Sequence, residues 1–187
     1  EHVIAQPSLS AAQARLFRVR RALAGRGLME AVTFSFLSDA HAKTFNGGAP
    51  NLKLVNPISA DLSDMRPSIL PNLLAAASRN QDRGEADIAM FEVGPIFLGD
   101  APEDQRTACS GIRHGAIAPR EWHGVSRKVD VFDAKADAEA ALAALGVRAA
   151  GIQTTTDAPD YFHPGRSGTL IQGRTKLASF GEFHPQL

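Results

Sequence analysis

One cysteine, no net charge and no long apolar run are the first facts of this 187-residue sequence, and each closes off a class of function. Cys109 stands alone, which excludes an internal disulfide and any cysteine-based zinc site and suits a reducing compartment. Lysine plus arginine number 20 and aspartate plus glutamate number 20, so no global field draws in a polyanion. Contact with nucleic acid would need a local basic patch or the help of a partner. No stretch is apolar for long enough to cross a membrane. The histidines (His2, His41, His114, His123, His163 and His184) are scattered, with no pair at the short spacing of metal ligands. A nucleophile elbow, a phosphate-binding glycine loop and an internal repeat are also missing. The length fits one domain, and an opening at Glu1-His2 without an initiator methionine or signal-like segment leads us to expect a piece of a larger cytosolic protein.

What is present reads as helices set among strands. Ser10 and Gln13 have the spacing of a capping box, and Leu16, Val19 and Leu23 then form one apolar stripe that Gly25 and Gly27 close. Arg15, Arg18 and Arg26 fall on another face, either solvated or turned to a partner or RNA. Glu30 to Leu37 alternates, which predicts a strand with Val32, Phe34 and Phe36 on its buried side. "NLKLVNP" predicts a short strand ended by Pro57, and a helix follows Ser68 with Pro71 in its first turn. "IAMFEVGPIFL" is strongly strand-like, and its Gly94-Pro95 predicts a bulge or an edge. "ACSGIRHG" and "KVDVF" predict further strands, Asp133 a helix cap before an alanine-rich helix that Gly146 ends, and "GTLIQGRTKLASFGEF" a hairpin turning near Gly173-Arg174. Strands in series without βαβ alternation argue for an α+β fold with a largely antiparallel sheet.

Candidate chemistry is sparse. Asp130 and Asp133 are either metal carboxylates or a strand-face residue and a helix cap. His163 and Arg166 flank a Pro-Gly turn, as an anion clamp or a plain loop. Glu92, in an apolar strand, is either an acid with a raised pKa or a residue that faces the wet side or accepts a structural hydrogen bond. On physical grounds alone no active site assembles.

The segment "GLMEAVTF", the Met65-Arg66-Pro67 turn with its following helix, and "MFEVGPIF" resemble the opening half of a class II aminoacyl-tRNA synthetase core. More narrowly, "LVNPISADLSDMRPSILPNLLAAASRNQDRG", "MFEVGPIFL", "WHGVSRKVDVFDAKADAEAALAALG" and "FHPGRSGTLIQGRTKLASFGEFHPQL" are each similar to the core domain of the bacterial phenylalanyl-tRNA synthetase beta subunit. The likeness runs in order over almost the whole chain. It implies a class II-like core over residues 1–187, an antiparallel sheet flanked by helices, with the last part of the core expected beyond Leu187.

Departures from the catalytic pattern then carry the functional expectation. Phe34 stands where class II motif 1 has a proline after its threonine, and no counterpart of motif 3 is found. Motif 2 continues its strand as Phe-Arg-x-Glu, the arginine holding the ATP α-phosphate, whereas this chain reads Phe97-Leu98-Gly99-Asp100. Leucine neither donates to a phosphate nor offsets developing charge. The resemblance therefore implies a core without catalysis: no catalytic, cofactor-binding or metal residue here, with ATP and Mg2+ serving the holoenzyme. Its partners would be the catalytic alpha subunit, in a cytoplasmic (αβ)2 enzyme that charges tRNA(Phe), and tRNA(Phe) through that assembly. Leu16, Val19 and Leu23 are the expected subunit interface. Arg66 and Pro67 are expected to form a structural turn, the guanidinium bonding loop carbonyls before the helix. Two alternatives stand beside this: a divergent adenylating ligase using Arg66, Glu92 and Arg166, and a tRNA-binding module working through Arg15, Arg18 and Arg26.

Overall fold

Ser10 starts the first helix by a reciprocal exchange: its hydroxyl accepts from Gln13 N at 3.2 Å, and the Gln13 amide oxygen accepts from Ser10 N at 2.9 Å. The helix so capped, α1, is Ala11–Gly25, and Gly27 turns the chain away from it at φ 82°, a backbone region open to glycine. The computed structural model describes residues 8–118, 122, 124 and 126–187. After α1 come β1 (Met29–Glu30), β2 (Phe36–Leu37), α2 (Asp39–Thr44), β3 (Asp64–Met65) and α3 (Leu70–Gln81). Then follow β4 (Ile88–Phe97), β5 (Gln105–His114), α4 (Val131–Ala144), β6 (Ile152–Thr155), β7 (Phe162–Gln172) and β8 (Thr175–Phe183). The strands make three sheets, in the orders β1-β4-β5, β2-β3 and β6-β7-β8. Among the described residues β1 and β4 form the one parallel pair. The fold is α+β and largely antiparallel.

β4 organises the core because both of its faces are covered. Ile88 and Met90 pack with Ile69, Leu73 and Ala77 from α3 and its entry, while Phe91 and Val93 pack with Val19 and Leu23 of α1. A strand clad on both sides reads as a continuous apolar run, which is why this one stood out in the sequence. A third cluster, Leu142, Leu170 and Phe180, seats α4 on the β6-β7-β8 sheet. Ring contacts tie that sheet to the end of α2: Phe45 lies 4.7 Å from Tyr161 and 6.3 Å from Phe183, centre to centre. β5 and β8 each pair on one side only among the described residues, and both line a cavity of about 650 Å³ roofed by α4.

Several expectations are corrected. The Glu30 to Leu37 alternation exists but is inverted: Val32 is 88% and Phe34 71% exposed, while Thr33 and Ser35 turn inward. "NLKLVNP" is a 3-10 turn, Pro50–Leu52, followed by a single bridge from Lys53 to Asp64. "KVDVF" contributes only a bridge between Ala116 and Lys128, because α4 already begins at Val131. Asp130, not Asp133, is its cap, accepting from the Phe132 and Asp133 amides, while Asp133 completes a capping box. His2 and His123 lie outside the described residues.

Pro95 needs no bulge. β4 pairs with β5 in unbroken register from Ile88 to Phe97, and β1 reaches only Met90 and Phe91, so the outer half of β4 is an edge. A proline on that edge leaves no ladder donor unmet.

Candidate functional site

Arg66 occupies the vacant place beside that edge. Its carbonyl accepts from Phe97 N at 3.0 Å, its Nε donates to Pro95 O at 2.8 Å, and its own N–H donates to Ser35 O at 3.0 Å. The residue thus stitches the 33–35 segment to β4 where no strand covers it. Its guanidinium is 1% exposed and its Nη1 meets Glu92 Oε1 at 2.8 Å. Nη1 also donates to Thr33 Oγ1 at 3.0 Å. Glu92, 3% exposed, accepts on its other oxygen from the Thr33 hydroxyl at 2.6 Å and the Thr33 amide at 3.2 Å. The two charges and the threonine form a closed set in which each ion has a partner, the condition under which buried charge is tolerated. Gly94 permits it: a Cβ there would fall 2.6 Å from Arg66 Nη2 and 3.2 Å from Glu92 Oε1.

This geometry refines the expected turn. The carbonyls that Arg66 meets belong to Pro95 and, at 3.5 Å, Phe34, rather than to the loop before α3. Glu92 is an acceptor within the core and does not face a cleft. Leu98, one residue past β4, is 60% exposed and offers no donor where the class II pattern has its arginine. Arg166 pairs with Glu182, whereas Glu92 pairs with Arg66. Arg166 lies on β7, where its Nε meets Glu182 Oε2 at 2.5 Å. His163 Nδ1 accepts from Gly165 N at 3.0 Å within a register shift of β7, the loop-like alternative to an anion clamp.

The acidic pair is likewise absorbed by structure. Arg127 donates to both oxygens of Asp133, at 2.7 and 2.6 Å, and holds that carboxyl below the usual carboxylate range against the opposing effect of burial. Among the described residues no group of three histidine, cysteine, aspartate or glutamate side chains is placed to hold a metal ion.

The expected interface is corrected as well. Val19 and Leu23 are 4% and 3% exposed, locked against Phe91 and Val93, and Leu16 is half-buried on the same cluster. They cover this chain's own core and present no strip to a partner. The open apolar strip lies on the next segment, where Met29 (70%), Val32 and Phe34 point outward. Beside it is a groove of about 520 Å³ lined by Val32, Phe34, Leu62, Pro71 and Ala75.

Sequence reasoning missed Thr33 as the third member of the buried set; the available signal was a threonine between two apolar residues, level with a lone glutamate in an apolar strand. It also missed Asp137, which accepts from Arg26 Nε at 2.5 Å and Arg113 Nε at 2.6 Å and joins α4 to α1 and β5.

The family model described as the phenylalanyl tRNA synthetase beta chain CLM domain matches residues 2–187. A phenylalanine--tRNA ligase beta subunit of Brucella suis is 56% identical over 182 residues, covering 95% of this chain and 23% of that protein. One of Rhodospirillum rubrum is 54% identical over 177 residues, covering 95% and 22%. The chain thus spans under a quarter of the curated relatives' length. The structure is similar to that of a pyrrolysyl tRNA synthetase, PylSc of Desulfitobacterium hafniense, with TM-score 0.62 and 18% identity over 90% of this chain and 55% of that one, a likeness of fold. With a family match over all but its first residue and beta subunits at more than half identity over 95% of its length, the chain belongs to the phenylalanyl-tRNA synthetase beta chain CLM domain family.

Proposed function

We propose that this chain is the class II-like core of a phenylalanine--tRNA ligase beta subunit and that it docks the catalytic alpha subunit without taking part in chemistry. Residues 1–187 act as one core within a cytoplasmic (αβ)2 enzyme that charges tRNA(Phe) with phenylalanine, and ATP and Mg2+ serve the alpha subunit. The observation that carries this reading is the fate of the charged residues. Arg66 and Glu92 are spent on each other and on Thr33, and Leu98 stands where a phosphate would need a cation. A site for ATP does not fit these residues. The docking surface is the open strip of Met29, Val32 and Phe34, on a segment with the class II motif 1 pattern; contiguous exposed apolar area of this kind marks a surface awaiting a partner.

Two measurements test the reading. Titrating the protein with ATP-Mg in a calorimeter should give no heat of binding; saturable heat would favour the adenylating ligase. Co-purification with the alpha subunit should fall more than tenfold in the Val32→Asp/Phe34→Asp variant, at an unchanged melting temperature. Retained co-purification would move the docking surface elsewhere.

A further inference from the structure

The groove beside the open strip has two walls of different origin. One is the strip itself, where Val32 and Phe34 stand uncovered. The other is a ridge of α3: Pro71, Ala75 and Arg79 follow at four-residue steps on the side opposite Leu73 and Ala77, which the core takes. Ala75 sets the depth. Its single methyl leaves the cleft open at about 520 Å³, within the range of roughly 300 to 1,000 Å³ that receives whole apolar groups. Asn72 ties the walls together, its Nδ2 donating to Phe34 O at 3.1 Å and to Phe36 O at 3.2 Å. Charge marks the two ends. Arg79, about 10 Å along α3 from Asn72, is exposed and has no carboxylate partner among the described residues. At the Asn72 end the 3-10 turn Ala60–Leu62 packs on β2 and brings the exposed Asp61, which has no cation partner among the described residues.

We propose that this cleft seats one segment of the alpha subunit, apolar at its centre, with a carboxylate facing Arg79 and a basic side chain facing Asp61. The inference rests on the docking reading and adds the chemistry of what docks. A body seated on Val32 and Phe34 also covers the cleft, because the same two side chains form its wall. Apolar contact along the cleft supplies the affinity, and the charges at its ends fix direction and register. A second copy of this chain, docking by its own strip, lacks that chemistry. Residues 29–37 hold a single carboxylate, Glu30, which Arg20 has taken at 2.7 Å. Such a copy brings no anion to Arg79.

The test measures association of the alpha subunit with the full-length beta subunit carrying each change, with circular dichroism to verify folding. Ala75→Trp fills the cleft and should weaken association about tenfold. Arg79→Glu, at an exposed position, should weaken it about threefold near ~0.1 M salt and much less near ~0.5 M, where the charge is screened. Arg79→Lys should keep the wild-type affinity. The matched control is Arg83→Glu, an exposed arginine four residues on and outside the cleft, which should change nothing. Association untouched by Ala75→Trp, or equal losses from Arg79→Glu and Arg83→Glu, would overturn the proposal. So would a beta subunit whose self-association is lost in Ala75→Trp while the alpha subunit still binds, which assigns the cleft to a second copy. If Val32→Asp/Phe34→Asp loses the alpha subunit and Ala75→Trp keeps it, this inference fails and the docking reading stands; if both keep it, the docking reading fails as well.

Discussion

Replacing Glu92 by alanine leaves the Arg66 guanidinium buried without its counter-charge, and such half-pairs cost about 3 to 5 kcal/mol. Denaturant unfolding should show that loss for Glu92→Ala and a similar one for Arg66→Ala. The double variant Arg66→Met/Glu92→Leu should lose far less than the two losses combined, because it removes both charges and refills the space. Gly94→Ala acts on the same set by pressing a methyl against Arg66 Nη2, an overpacking loss of about 1 to 3 kcal/mol. That loss should largely vanish in an Arg66→Ala background. If Arg66→Ala instead left the melting temperature and assembly intact while abolishing aminoacylation by the full enzyme, the structural reading of Arg66 would be wrong. In the sequence, the following proline and the departure at Leu98 argued against chemistry at this arginine. It was silent on the partner, because nothing local links position 66 to positions 92 and 33.

At the scale of elements, α4 is held at its start by two aspartates with different duties. Asp130→Ala removes the cap and should destabilise the protein by about 1 kcal/mol. Asp133→Asn breaks the Arg127 pair and carries a pH signature. The carboxyl's pKa is lowered in the folded state, so its contribution is full above the unfolded value of about 4 and fades as pH falls through the folded one. The stability gap between wild type and Asp133→Asn should therefore be level near neutrality and narrow below about pH 4. Elements announced by an internal signal were legible: the capping box of α1, the proline in the first turn of α3, the turn at Gly173. "NLKLVNP" and "KVDVF" misled because proline and aspartate offer the backbone a local alternative, a 3-10 turn in one case and an N-cap in the other. The stretch from Ala31 to Ser35 showed its period of two but not which side was inner. Alternation fixes a face, and only the buried Glu92 decided which face turned in.

For the molecule as a whole, the α+β class and the family were readable from order and spacing, whereas the division into covered and open apolar surface was not. Leu23 and Val32 look alike on paper; one is sealed by β4 and the other meets solvent. The same three-dimensional fact governs α1, whose arginines differ only in whether a carboxylate arrives from a distant element, as Asp137 does for Arg26. No helix among the described residues is long and apolar enough to cross a membrane. The edges of β5 and β8 have one more effect. A ladder that stops at β5 and resumes at β8 leaves unused amide donors along both, and such rows template the strands of neighbouring molecules. Concentrated samples should accordingly seed fibrillar, dye-positive aggregates, and a gatekeeper charge at the exposed Cys109, Cys109→Lys, should lengthen the lag before they appear.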